Sequence, residues 1–148
     1  MKRLFPTAAA VLIPFLLGAS VKAAEVRVET LNKSGDQRFV YAPELVRIAP
    51  GDTVVFAPTD KGHNTVSIDG MLPNGAERIN IGFNKEGVVI FDQPGIYGVR
   101  CTPHVGLGMV GLIVVGDPVV GDDIRRAVAK LPPKARQHMN ALLEKAEG

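Results

Sequence analysis

The chain has 148 residues, of which 46% are hydrophobic and 22% charged, with 17 basic and 15 acidic residues and a single cysteine. That length suits one domain with its own core. The near-balanced charge argues against a nucleic-acid binder, and the lone cysteine excludes an internal disulfide.

In chain order, the first feature is "MKRLFPTAAAVLIPFLLGASVKAAEV". Lys2 and Arg3 precede an apolar run from Leu4 to Leu17, and small residues surround Val21-Lys22-Ala23. This predicts a secretory signal peptide over 1–23, cut after Ala23. Pro6 and Pro14 interrupt the run, which falls short of the roughly 20 apolar residues that a membrane span needs. Cleavage removes Lys2, Arg3 and Lys22, leaving 125 residues with fourteen basic and fifteen acidic side chains. The exported product is expected to be soluble, with 24–148 as a single domain.

From Glu25 to Asp117 short β-branched or apolar runs alternate with turn residues, the texture of an all-β sandwich or barrel. "EVRVETL" (25–31) alternates. "LVRIAPGDTVVFAP" (45–58) reads as strand, a Pro50-Gly51-Asp52 turn, and strand. "GVVIFDQPGIYGVRC" (87–101) repeats that pattern around Pro94-Gly95 and runs into the cysteine. "MVGLIVVGD" (109–117) is apolar throughout, which predicts a strand buried on both faces. The texture then changes: 25–117 is the β part, and 118–148 reads as a helical hairpin over it. Ile124, Val128 and Leu131 share one helical face; Ala135, Met139, Leu142, Leu143 and Ala146 share another, with Pro132 and Pro133 between them.

The chemistry concentrates in "CTPHVGLGM" (101–109). Cys101 ends one predicted strand and Met109 begins the next, with His104 between them in a C-x2-H-x4-M spacing. An unpaired thiol in an exported chain needs a reason, of which metal binding is one. Thiolate, imidazole and thioether form a soft donor set that selects copper over magnesium, calcium or manganese. Cysteine and histidine alone would also suit zinc, but a thioether would not. Of the two other histidines, His138 lies at the edge of the second helical stripe and is expected to be a partly solvated surface residue. His63, in "TDKGHNTV" between predicted strands and after a glycine, is the better fourth ligand. Taken singly, each of these residues is more often packing or surface; the joint pattern is far more specific. Two histidines, a thiolate and a weak axial methionine make the blue-copper set His63, Cys101, His104 and Met109.

The stretches "LNK" (31–33), "APGDTV" (49–54), "PTDKGHN" (58–64), "PGIYGVRCTPH" (94–104) and "GMVG" (108–111) resemble the pseudoazurins, a family of bacterial cupredoxins. The resemblance runs from Val26 through the C-terminal helices. It implies a Greek-key β-sandwich of about eight strands followed by two α-helices, with one type 1 copper at one end. His63, Cys101 and His104 would be equatorial ligands and Met109 axial. Asn64 would tie the two ligand loops together, and His104 would reach the surface as the route for electrons. The implied function is one-electron transport in the periplasm by a monomer, with a nitrite reductase and c-type cytochromes as partners. Docking would use an apolar patch around His104 (Pro103, Val105, Leu107 and Phe39) ringed by Lys33, Lys61, Lys85 and Arg100. Phe39 departs from the family pattern, where a methionine is common, and the 78–85 stretch also diverges.

Two other functions compete. A Cys101 nucleophile with His104 as base would make the protein an enzyme, but this leaves His63 and Met109 unexplained. A copper chaperone or storage protein would use the same ligands and exchange its metal readily.

Overall fold

The computed structural model describes residues 22–148, so the signal-peptide reading lies, apart from Lys22 and Ala23, outside the described residues. Among the described residues, nine strands form two sheets. The first sheet has the order β2 (Gln37–Ala42), β1 (Glu25–Ser34), β4 (Asp52–Ala57), β7 (Gly87–Phe91). The second has the order β3 (Leu45–Ile48), β9 (Val110–Val115), β8 (Gly95–Arg100), β5 (Thr65–Ser67), β6 (Asn80–Ile81). Pairs β1/β4 and β3/β9 are parallel and the others antiparallel, which is consistent with Greek-key connections. The nine strands agree with the expected sandwich of about eight; β6 has only two residues.

β9 shows how sequence becomes architecture. All six of its residues are buried, as its unbroken apolar run predicts. Successive side chains on a strand point to opposite faces. Ile113 and Val115 accordingly join Val28, Val54, Phe56, Phe91 and Tyr97 in the core between the sheets. Val110, Leu112 and Val114 face the other way, into a second core with Val128, Leu131, Met139, Leu142 and Leu143. Gly111 lies on the inner face, where a Cβ would meet Val99 at 3.1 Å and Tyr41 at 3.4 Å.

That second core holds the helices, α1 (Asp122–Ala129) and α2 (Pro133–Glu147). The residues placed on apolar stripes from the sequence are the ones buried or partly buried there. Pro133 opens α2 at its first turn, where the missing N–H costs nothing. Arg47 on β3 donates to the carbonyls of Lys145 and Ala146, so the outer sheet face also grips the end of α2.

Candidate metal centre

Two loops and one hairpin build the site. His63 sits between β4 and β5 after Gly62, whose φ of +95° only glycine adopts readily. Gly62 N donates to Asn84 Oδ1 at 2.7 Å, which anchors the turn. Cys101 follows β8, His104 begins a single 3-10 turn (Val105–Leu107), and Met109 precedes β9. The turn closes on itself: His104 N donates to Cys101 O, Met109 N to His104 O and Cys101 N to Met109 O, each at 3.2 Å.

This folding brings Cys101 Sγ to 3.7 Å from His63 Nδ1 and 3.5 Å from His104 Nδ1, with the two Nδ1 atoms 3.2 Å apart. Ligands about 100–120° apart on bonds of roughly 2.0–2.3 Å stand roughly 3.2–3.8 Å from one another. The three donors therefore fit around one ion. Cys101 and Met109 are fully buried and His63 is 2% exposed, while His104 is only partly buried. Met109 and Cys101 belong to the same core cluster.

Neighbouring side chains set the donor atoms. His63 Nε2 lies 3.0 Å from Asn32 Oδ1, an acceptor, so Nε2 carries the hydrogen and Nδ1 presents its lone pair to the cluster. Burial, reinforced by the adjacent His104, holds the His63 imidazole below its ordinary pKa, which favours the neutral ligand form. Burial pushes the Cys101 thiol up, partly opposed by backbone N–H bonds from Asn64 and His104. Without a metal, Cys101 is therefore a protonated, enclosed thiol, poorly suited to nucleophilic attack. Asn64 links the two ligand loops as expected: its Nδ2 donates to Thr102 Oγ1 at 3.0 Å and its Oδ1 accepts from Thr102 N at 2.8 Å.

Sequence reasoning gave no role to Asn32; it expected Phe39 beside His104 through the family resemblance, but not the strand rung that puts both residues against the histidines. Leu31 pairs with Val40 and Lys33 with Arg38, so Asn32 and Phe39 occupy the intervening rung. Asn32 holds His63; Phe39 stacks on His104, with ring centroids 4.1 Å apart and planes inclined by 14°. Phe39 has φ +54°, and the Arg38 guanidinium lies 5.5 Å from its ring. No local signal marks Asn32, because its partner is 31 residues away. His138 stands outside the cluster, as expected, but it is not simply a solvated surface residue. Its side chain is 23% exposed and bonded through both ring nitrogens, to Gly108 O and Glu44 Oε2. Lys33, Lys61 and Lys85 are exposed; Arg100 is only partly so, with its Nε buried and unpartnered.

A family model for copper binding proteins, the plastocyanin/azurin family, matches residues 28–116. A pseudoazurin of Paracoccus pantotrophus is 43% identical over 136 residues, 92% of this chain and 93% of that protein. Among solved structures, a pseudoazurin from Sinorhizobium superposes with a TM-score of 0.79 at 39% identity, covering 84% of this chain and 98% of the other. One from Hyphomicrobium denitrificans gives 0.76 at 38%, covering 82% and 97%. The chain thus belongs to the plastocyanin/azurin family of copper-binding proteins and, within it, to the pseudoazurins, which are copper electron carriers and not enzymes.

Proposed function

We propose that the protein is a periplasmic type 1 copper carrier of single electrons, in which His63, Cys101 and His104 would hold the metal and Met109 would supply a weaker thioether ligand. The convergence of Cys101 Sγ and two histidine Nδ1 atoms within 3.7 Å carries this reading. Bound copper supplies the one-electron couple between Cu(II) and Cu(I). The protein's part is to hold the donors in a fixed arrangement and to exclude water. Buried ligands, the Asn64–Thr102 bonds and the Asn32 contact favour retention of the metal over the ready exchange that a chaperone or storage protein needs.

His104 is the partly exposed ligand, and the exposed Pro103 and Leu107 with partly buried Val105 and Phe39 lie next to it in sequence or space. These residues form the apolar contact that a partner would meet, a small interface suited to transient redox contacts. Lys33, Lys61, Lys85 and Arg100 ring it, and Arg38 joins them through its place over Phe39. An acidic partner is implied, with a nitrite reductase as acceptor and c-type cytochromes as donors. Export by the 1–23 signal peptide places the carrier in the periplasm, as a single domain over 24–148.

Adding Cu(II) to the purified protein and recording its visible spectrum tests the ligand set. A strong thiolate-to-copper band near ~600 nm is expected from the blue-copper arrangement, and Cys101→Ser should abolish it. A Cys101→Ser protein that stayed blue would refute the assignment.

A further inference from the structure

Gly108 immediately precedes Met109, and its carbonyl oxygen is held from a different element. His138 on α2 bonds to Gly108 O through Nδ1 at 2.8 Å and to Glu44 Oε2 through Nε2 at 2.8 Å. Both neighbours are acceptors, so the ring must donate from both nitrogens to satisfy both. Glu44 is itself fixed, because its backbone carbonyl accepts from Leu112 N at 2.8 Å on β9. The contacts close a ring in which β9 holds Glu44, Glu44 holds His138, and His138 holds the residue that leads into β9. The Glu44 and His138 side chains are 21% and 23% exposed, which shields the pair from solvent. Lys145 Nζ, 3.4 Å from Glu44 Oε1 but 62% exposed, adds little.

The element that carries His138 is rigid where it meets the loop. Ala135 and Met139 of α2 are fully buried. Gly108 has φ +98°, and a Cβ there would lie 3.7 Å from Lys134 Cβ, so the first turn of α2 rests against the loop. A thioether would hold copper only weakly, so the backbone that carries Met109 would influence where its sulfur stands.

We infer that Glu44 and His138 form a clamp that positions the axial ligand, by fixing the Gly108 carbonyl and with it the backbone of Met109. His138 is a positioning residue for the site, acting from a helix that supplies no ligand. This rests on the ligand set proposed above.

His138→Leu and Glu44→Gln in the otherwise intact protein test the clamp. In the copper-free form, hydrogen exchange by NMR should quicken about tenfold at the Leu107, Gly108 and Met109 amides in His138→Leu, as loss of roughly 1.4 kcal/mol of local hydrogen bonding implies. Glu44→Gln should quicken the same amides less, because its amide oxygen still accepts from His138. The Thr102 amide, bonded to Asn64 across the other loop pair, should be unchanged in both. After Cu(II) is added, His138→Leu should keep the thiolate band but change its intensity relative to the shorter-wavelength band, the mark of a displaced axial ligand. Unchanged exchange at 107–109 would overturn the clamp. So would equal acceleration at Thr102, which signals general loosening, or a copper spectrum identical to wild type. Failure of the ligand set itself would show separately, as a missing thiolate band in the unmutated protein.

Discussion

Asn64 offers the most direct measure of how firmly the two ligand loops are joined. The residue is 9% exposed, and its side chain makes two bonds to Thr102, at 3.0 Å and 2.8 Å, across 38 residues of sequence. Asn64→Ala removes both. Thr102 is exposed and its bonds to Asn64 are part-buried, so the net value per bond is used with no added desolvation term. At about 1 kcal/mol net per bond the loss is about 2 kcal/mol, or roughly 30-fold in the folding equilibrium. With an unfolding entropy of about 2.1 cal/mol/K per residue, that lowers the midpoint by about 7 °C in a chain of this size. The assay is thermal unfolding of the copper-free protein followed by circular dichroism. Thr102→Val removes only the bond to its hydroxyl and should cost about half as much. Because that bond is already absent in Asn64→Ala, the double variant should match Asn64→Ala within about 0.5 kcal/mol. Copper affinity should fall by about 10–100-fold in Asn64→Ala, the usual effect of losing a group that orients ligands. A stability loss below about 0.5 kcal/mol, or strict additivity in the double variant, would refute the linking role.

Met109→Leu should keep the blue colour and raise the reduction potential measured by voltammetry, because an axial thioether donor is lost. In the copper-free protein, stability should be greatest between 6.5 and 9.0, the ordinary imidazole and thiol values. The depressed His63 pKa gives stability that is present above its unfolded value and lost as pH falls through the folded one; the raised Cys101 pKa gives stability that is present below its unfolded value and lost as pH rises. Denaturant titrations across pH check both limbs; Cys101→Ala should remove the loss that begins near 9.0, leaving the later one that the buried Tyr41 and Tyr97 hydroxyls add above 10. Electron transfer to an acidic partner should slow as salt rises, because charges beyond roughly 8–10 Å are screened. Stopped-flow rates for Lys33→Glu and Lys61→Glu should fall through association with an unchanged potential, whereas Leu107→Glu should lose rate at every salt concentration.

The parts of the molecule legible in the sequence were those with a local signal. The β9 run, the two helical stripes and the C-x2-H-x4-M spacing each declare themselves within about a dozen residues. Gly62 before His63 was legible for the same reason, since a positive φ has one preferred residue. β2, β5 and β6 were not assigned. β2 carries an aromatic at positive φ, and β5 and β6 have three and two residues, too few to show a period. The Asn32 bond, the two bonds of His138 and the β1–β2 rung depend on pairing across 31, 30 and 94 residues and on strand register, which no local pattern encodes.

The β1–β2 rung explains why a bulky residue tolerates a costly backbone. A non-glycine residue at φ +54° is strained by about 1–3 kcal/mol. Stacking on His104 returns about 0.5–1.5 kcal/mol. The Arg38 guanidinium, 5.5 Å from the ring centroid, adds about 0.5–1 kcal/mol. These contacts offset much of that strain, and Phe39 also packs, partly buried, against the core between the sheets. It covers a face of the partly exposed histidine, while Asn32 on the same rung fixes the lone pair of the buried one. One hairpin rung thus constrains both histidines, and α2 constrains the approach to Met109 through Gly108. The cluster is held by elements that contribute no donor atom. A carrier needs this, because donors that stay in place between oxidation states leave little reorganisation to slow transfer.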